Sequence, residues 1–584
     1  MRNAPILRVY LRHFPDGEQA FIAMQPIDQH HPGQWWECKL EIKQPVVHYR
    51  FVLECTEGIW WYSAAGPSLY DPLDFTDFQI LADYQPPAWV HNSVFYQIFP
   101  DRFANGDATN DPQPQEFEIR GFRPKTFSWG EPPAPDTPFP MVFYGGDLQG
   151  IQQRLDYLDS LGINALYLNP IFTAHSNHKY DVIDYDHVDP HFGGDQALIN
   201  LRNALSQRNM RYILDVVPNH CGFWHPWFQH ARQHPDSVEA GFFTFDHHPD
   251  HYASWLGVWS LPKLNYSSPE LRRRIYQGSE AVFRRWLRHP YAADGWRVDV
   301  ANMLGRQGPI QMGSTIAREI RTAVKESQPE AYLIGENFFD ATSQLQGDQW
   351  DGVMNYAGLT MPLWHWLRGY QQGAWGLKGT ISGQGPWPTA ALEASLRHHL
   401  AVIPWAIALQ QFNLLGSHDT SRIRSIVGGN PALHQLAAVI QFTFPGVPCV
   451  YYGDEIGLED DPVLASRGCM PWNGEYWDQA TNEFYRSLIQ LRRTSPALQA
   501  GGFQVLSAQE DLFVYQREAG DERLLVAALR GQHPHPAVPL AVAHGGIPDG
   551  SRFREYFSGT EAEVRGDELL LPEQQPGATI WIQV

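Results

Sequence analysis

Eight short apolar segments recur between residues 94 and 455, and helix-forming stretches separate most of them. They are VFYQIFP (94–100), NALYLNP (164–170), RYILDVVP (211–218), GWRVDV (295–300), AYLIGE (331–336), GVMNYAGL (352–359), FNLLGSHD (412–419) and PCVYYGDE (448–455). Fully apolar runs of this length suit strands buried on both faces, as in a parallel sheet. GIQQRLDYLDSLG (150–162) has helical periodicity. Asp195 is placed to cap a helix to about 209. Ser268-Pro269 is placed to open a long one to about 288, and 314–328 reads as another. Eight strand–helix units over about 400 residues specify a (β/α)8 TIM barrel of the α/β class.

The flanks differ. RVYLRHF and HYRFVLE alternate apolar and polar side chains between Gly and Pro, as do DLFVYQ, RLLVAAL and TIWIQV near the other end. The expected organisation is an N-terminal β-sandwich over 1–88, a barrel over 89–220 and 263–498, a subdomain inserted after the third strand at 221–262, and a C-terminal β-sandwich over 499–584. The segment 104–142, rich in Pro and Asp, is a second insertion after the first strand.

Side chains at the carboxyl ends of barrel strands face the active site. Here those ends carry polar groups in apolar settings: Asp215, Asn219 and His220 in DVVPNH, Arg297 and Asp299 in GWRVDV, Glu336 in LIGEN, and His418 and Asp419 in LLGSHD. Any one such Asp is as readily a turn residue. Their convergence on one end of one barrel is not explained that way. Arg297 and Asp299 are two apart on a strand, so they share a face, and an adjacent Arg favours an ionised carboxylate. Glu336 follows an apolar strand, where partial burial raises a carboxyl pKa toward that of a general acid. Two carboxyls tuned in opposite directions are what retaining glycoside hydrolysis requires.

These segments resemble the conserved regions of the α-amylase superfamily, glycoside hydrolase family thirteen. DVVPNH, GWRVDV, GEN and SHD occur in the family's order. LPKLN (261–265) resembles the extra motif of the neopullulanase, cyclomaltodextrinase and maltogenic amylase group, and GINALYLNPIF (162–172) and GVPCVYYGDEIG (446–457) resemble further strand motifs. The resemblance implies Asp299 as nucleophile, Glu336 as general acid/base and Asp419 as the third carboxylate. It implies Tyr180, His220, Arg297, His418 and Arg467 as sugar-site residues, with Asp215 structural, holding Arg297 or a loop. An Asp partner for Arg467 is in question, because the spacing from Asp461 departs from the family pattern.

FANGDATNDP (103–112) and FYGGDL place Asn105, Asp107, Asn110, Asp111, Gly145 and Asp147 in two short loops. Oxygen donors alone suit Ca²⁺ rather than zinc, although Asn, Asp and Gly also dominate plain turns. The resemblance to the calcium loop of the cyclomaltodextrinase group implies a structural Ca²⁺.

Phe338 stands where an aromatic, often Trp, follows the acid/base in that group. This departure, with HKYDV and YYGDEIG, resembles the maltodextrin glucosidases and implies hydrolysis of α-1,4 bonds in short maltodextrins, releasing glucose or maltose. Cyclodextrin or pullulan cleavage is the alternative, toward which DVAN (299–302) leans. A transglycosylase or isomerase would keep the same three carboxylates, and an inactive sugar-binding relative would have lost one. Aromatic residues reach 13%. Trp224, Trp227, Trp255 and Trp259 in the insertion therefore divide between sugar stacking and packing. The insertion itself should crowd the cleft. A net charge of −21 opposes nucleic-acid binding, and no apolar run reaches membrane-spanning length. Five Cys with no C-x-x-C spacing suit a reducing cytoplasm. The expected partners are α-glucan oligosaccharides, and a homodimer is compatible with the sequence.

Overall fold

The computed structural model describes residues 5–27, 34–369 and 385–584. Residues 1–4 and 28–33 of the expected first domain, and 370–384 of the expected barrel, lie outside them.

All eight expected segments contribute strands to one parallel sheet. In chain order they are Phe95–Ile98, Ala165–Leu168, Arg211–Val216, Gly295–Val298, Tyr332–Gly335, Gly352–Val353, Phe412–Leu414 and Val447–Tyr451. The eighth pairs back onto the first, and a parallel bridge from Met354 to Phe412 joins the sixth to the seventh, so the sheet closes. Closure leaves no free strand edge.

The interior shows why these sequences alternate as they do. Phe95, Tyr167, Ile213, Tyr332, Ile334, Phe412 and Cys449 form one buried cluster inside the barrel. Two residues further along their strands, Phe95 is followed by Gln97 and Ile213 by Asp215. Both are at most 1% exposed. Side chains two apart share a face. The barrel lumen is therefore apolar toward the strand starts and polar toward their ends.

Three local readings need correction. Asp195 is not a cap: the helix Gly194–Gln207 has Gly193 at its N-cap, with positive φ. Asp195 instead accepts from the Val188 amide and the Tyr291 hydroxyl. Ser268 does cap, accepting from the Leu271 amide. Its long helix, however, is broken into Pro269–Arg272, a wide turn over Arg273–Gln277, and Val282–Arg285. Gly278 is extended at the break. The GVMNYAGL segment is strand only at Gly352–Val353, and Tyr356–Thr360 winds into helix.

The N-terminal residues form a six-stranded antiparallel sheet and a separate ribbon, Gln25–Ile27 with Trp35–Glu37. Tyr84 reaches the barrel through a hydrogen bond to Asp351, and Trp89 through one to the Glu330 carbonyl. An eight-stranded antiparallel sheet, Gly502–Gln509 through Gly577–Gln583, ends the chain. It docks on the helix Pro431–Thr443, where Arg517 donates to the Thr443 carbonyl at 2.6 Å. The insertion after strand three holds the helix Pro226–Gln233 and the ribbon Phe245–His247 with His251–Tyr252. They are packed through Phe223, Phe228, Phe243 and Phe245. Among the described residues no helix is long and apolar enough to cross a membrane.

Candidate active site

The carboxyl ends of the strands surround a cavity of about 440 Å³. Tyr180, His220, Asp299, Glu336, Asp419 and Arg467 all line it. Arg297 lies beneath, fully buried, and organises the floor. Its Nη1 meets Asp215 at 2.9 and 3.0 Å and Asp299 Oδ1 at 2.9 Å, and its Nη2 meets Glu336 Oε1 at 2.9 Å. Asp215 and Arg297 are register partners on neighbouring strands, so the sheet itself sets this contact.

Asp299 and Glu336 each stand one residue past a strand. The Asp299 amide still bonds to the Val216 carbonyl, and the Glu336 amide to the Val298 carbonyl. Neither side chain can swing far. Val300 has φ +47°, a conformation that β-branched residues rarely adopt. This turn aims the Val300 amide at Glu336 Oε2, 2.7 Å away. Backbone strain of roughly 1–3 kcal/mol is thus spent on fixing the Glu336 carboxyl. Asp299 Oδ2 is buried and accepts no hydrogen bond among the described residues.

The electrostatics differ from the sequence expectation. Burial pushes the Asp299 carboxyl well above its usual range, and the Glu336 charge adds to this. Arg297 opposes the shift without cancelling it. Burial also raises Glu336, against the pull of Arg297. Arg297 therefore does not by itself keep Asp299 ionised. Two enclosed, neighbouring carboxyls around one guanidinium hold a proton more readily than either would in water. Burial takes Asp215 up to about 6 despite Arg297. Burial would raise Asp419 as well, but His418, Arg467 and Arg297 outweigh it and hold this carboxyl below its usual range.

Asp419 Oδ1 accepts from Arg467 at 3.0 Å, and Oδ2 lies 3.1 Å from His418 Nε2. Burial takes His418 down to about 3, so its ring is neutral at physiological pH. Nδ1 faces the amide nitrogens of Gln97 and Asn169, at 2.9 and 3.1 Å, and can only accept. That fixes the Nε2–H tautomer, which donates to the Tyr180 hydroxyl at 2.7 Å. Tyr180 stacks on His418 at 5.4 Å and 6°, and its hydroxyl donates to Asp215 at 2.9 Å. His220 is likewise driven down to about 3 by burial. Its Nδ1 lies 3.1 Å from the Asn219 side-chain nitrogen, and its Nε2 is buried.

Arg467 does not pair with Asp461. Asp461 accepts from the amides of Val463 and Leu464 in its own turn. Arg467 is held by Asp419 and the His418 carbonyl.

Several wall residues escaped the sequence reading. Gln97, Asn169 and Tyr167 complete the network under His418 and Asp215. Leu256, Leu261, Met303 and Phe339 form the apolar rim. Gln97 was findable, two residues after Phe95 on an otherwise apolar strand. Of the four Trp residues in the insertion, Trp255 lines the cavity, tilted over the His220 ring at 5.8 Å. Trp224 packs on Trp259, and Trp227 on His225.

The acidic loop is mixed. Asp147 spends both oxygens on nitrogen donors: Oδ1 on the Gly106 and Gly150 amides, Oδ2 on the Asp107 amide and the Asn110 side chain. Asp107 accepts from Thr109. Asn105 donates to Asp111 Oδ1 at 2.9 Å, and Asn110 Oδ1 is buried with no partner. A Cβ on Gly145, whose φ is +74°, would sit 2.1 Å from Asp111 Oδ1, so only glycine leaves that cradle open. Among the described residues no three His, Cys, Asp or Glu side chains converge on a metal-sized space. Asn105, Asn110, Asp111 and the Gly145 carbonyl fit an oxygen-liganded cation. Asp107 and Asp147 serve the loop backbone instead.

Residues 97–487 match the catalytic domain of alpha amylase. The chain is 33% identical over 558 residues to a cyclomaltodextrinase of Bacillus sp, spanning 91% of this chain and 90% of that one. It is 32% identical over 568 residues to neopullulanase 2 of Thermoactinomyces vulgaris, spanning 94% and 88%. A solved cyclomaltodextrinase structure superposes with a TM-score of 0.76 at 29% identity, covering 99% of this chain and 94% of that one.

Proposed function

The chain belongs to the α-amylase family of O-glycosyl hydrolases, and from that premise we propose that it cleaves α-1,4 bonds in cyclodextrins and short maltodextrins with retention of configuration. The observation that carries the chemistry is Asp299. One oxygen is pinned by Arg297 and the other is buried, unpartnered among the described residues and on the cavity wall. In the proposed reaction Asp299 Oδ2 attacks the anomeric carbon. Glu336 gives its proton to the departing oxygen, and a glycosyl ester forms on Asp299. Glu336, now a carboxylate, takes a proton from water as that water opens the ester, so the product keeps the α configuration. For this reaction the proton must reside on Glu336 and Asp299 must be the carboxylate. Asp419 and His220 hold sugar hydroxyls, Arg467 holds Asp419, and Tyr180 offers its ring to the sugar, while His418, fully buried behind the cavity wall, orients Tyr180.

The choice of substrate rests on relatives and on the rim. Likeness to a cyclomaltodextrinase and a neopullulanase favours cyclodextrin or pullulan over the maltodextrin-glucosidase reading. Trp255, Leu256 and Leu261 roof the cavity from the insertion side, and Phe339 stands exposed at the opposite rim. This supports short or cyclic chains over granular starch. A time course on β-cyclodextrin, pullulan, maltoheptaose and soluble starch, with anomers followed by NMR, checks both parts. We expect α-anomeric products and starch as the slowest substrate. Initial β-anomer overturns the mechanism, and starch as the fastest overturns the size argument. All five cysteines are free thiols, in keeping with a cytoplasmic setting.

The same reading gives a structural Ca²⁺ to Asn105, Asn110, Asp111 and the Gly145 carbonyl. The ion would tie the loop after strand one to the loop before the helix Leu148–Gln153. A chelator should lower the melting temperature, and Ca²⁺ in excess should restore it. An Asp111→Ala variant should melt at the chelated temperature and ignore Ca²⁺. A wild-type melting temperature indifferent to both reagents would make the loop a plain turn.

A further inference from the structure

Next to the catalytic cavity lies a second one, of about 330 Å³, lined by Ser254, Lys263, Asn302, Arg306, Gln307 and Gln311 among others. Its charge is unusual for this molecule. The chain carries a net charge of −21, yet no carboxylate lines this cavity. Lys263 is 6% exposed, and none of its own ion pairs or side-chain hydrogen bonds is found among the described residues. Its pKa is lowered by burial alone, with no neighbouring acid to offset the loss of water. Among the described residues Arg306 has no acid partner either. Its Nη1 donates to the neutral Gln311 at 3.2 Å, and its Nε is enclosed without an acceptor. Just past Gln311, the helix Gly313–Ser327 begins with no side-chain cap and no acid in its first turn. Cations with no acid beside them leave their charge available to an anion from solvent.

We propose that this cavity is a binding site for a phosphate-type anion, placed to receive a phosphate ester on the sugar leaving the catalytic cavity. Two separate cations with the Asn302 and Gln307 amides offer more donors than the two oxygens of a monoanionic carboxylate use. They suit the three terminal oxygens of a phosphate monoester. Asn302 and Met303 line both cavities, whereas Tyr180, Asp419 and Arg467 line only the catalytic one. A chain whose attacked sugar lies over Tyr180 and Asp419 continues past Asn302 and Met303 toward Lys263. The placement relative to the cleaved bond rests on the hydrolase reading; the anion site does not.

Calorimetry on the full chain tests it with glucose 6-phosphate, inorganic phosphate and glucose, for wild type and a Lys263→Met/Arg306→Gln double variant. Glucose 6-phosphate should bind where glucose at the same concentration does not. The double variant should lose at least about tenfold in affinity, the loss expected for one charge-assisted hydrogen bond. Tighter binding of glucose 6-phosphate than of phosphate supports an ester on a sugar, and equal binding supports the same site serving free phosphate. No binding of either anion, or equal binding by the double variant, overturns the proposal. Kinetics gives a second arm. The double variant should keep the wild-type rate on maltotriose and lose about tenfold on maltotriose phosphorylated at its reducing-end glucose. If wild type cleaves no α-glucan at all, the hydrolase reading fails, while calorimetry still decides the anion site.

Discussion

Replacing Asp299 with Asn should reduce kcat/KM on β-cyclodextrin and maltoheptaose by roughly 10⁴- to 10⁶-fold, the scale of losing a covalent nucleophile. The amide is nearly isosteric but cannot form the glycosyl ester. Folding should survive, and stability should rise. Burial and the Glu336, Asp215 and Asp419 charges hold the Asp299 pKa well above its usual value. A carboxyl with a raised folded pKa contributes stability only below its unfolded pKa, and loses it as pH rises through the folded value. At neutral pH an ionised Asp299 is therefore a burden that Asn removes. The expected result is an inactive enzyme melting at or above the wild-type temperature, with the gain larger at pH 8 than at pH 5. Activity within tenfold of wild type would remove Asp299 from the mechanism. Inactivity with a much lower melting temperature would mean that the substitution damaged the fold rather than the chemistry.

The barrel was legible because its strands are short, apolar and bounded by polar residues, and because closure needs eight of them. Asp215 and Arg297 were placed on the correct strands by the same pattern. Helix details were less legible. Ser268-Pro269 announced a start correctly, but nothing local to residues 269–288 announced the break at Gly278. Asp195 has the chemistry of a cap, yet tertiary partners, the Val188 amide and the Tyr291 hydroxyl, claimed it. The site residues were readable as types and positions. Their charge states were not, because these depend on enclosure by residues far apart in sequence. Arg297 beside Asp299 suggested an ionised nucleophile, but the pair turned out to be a cluster with Asp215 and Glu336, and burial outweighs the one guanidinium. The positive φ of Val300 was also invisible, since valine gives no hint of it. Asp107 and Asp147 illustrate the converse. In sequence a carboxylate that binds a cation and one that collects amide donors look alike.

Arg297→Met should be the most damaging single change to the fold of the site. Met approximates the aliphatic length and leaves Asp215, Asp299 and Glu336 enclosed without their common cation. Breaking a buried ion pair from one side costs about 3–5 kcal/mol. The pH dependence should reveal the cause. In wild type Asp215 already reaches about 6 by burial against the pull of Arg297. Without the guanidinium, its folded pKa and those of Asp299 and Glu336 move higher still. Carboxyls of this kind contribute stability below their unfolded pKa, about 4, and lose it as pH rises through the folded values. The deficit of the variant should therefore be smallest near pH 5, where Asp215 is largely protonated, and full by pH 8. Melting temperatures of wild type and variant across that range measure it. A second substitution, Asp215→Asn, should recover part of the loss at pH 8, because it removes one of the stranded charges. It should recover none of the activity, because Glu336 and Asp299 would still lack the group that orients both. A deficit of equal size at every pH would assign the damage to packing, and Arg297 would then be a spacer rather than the charge that lets three acids share one floor.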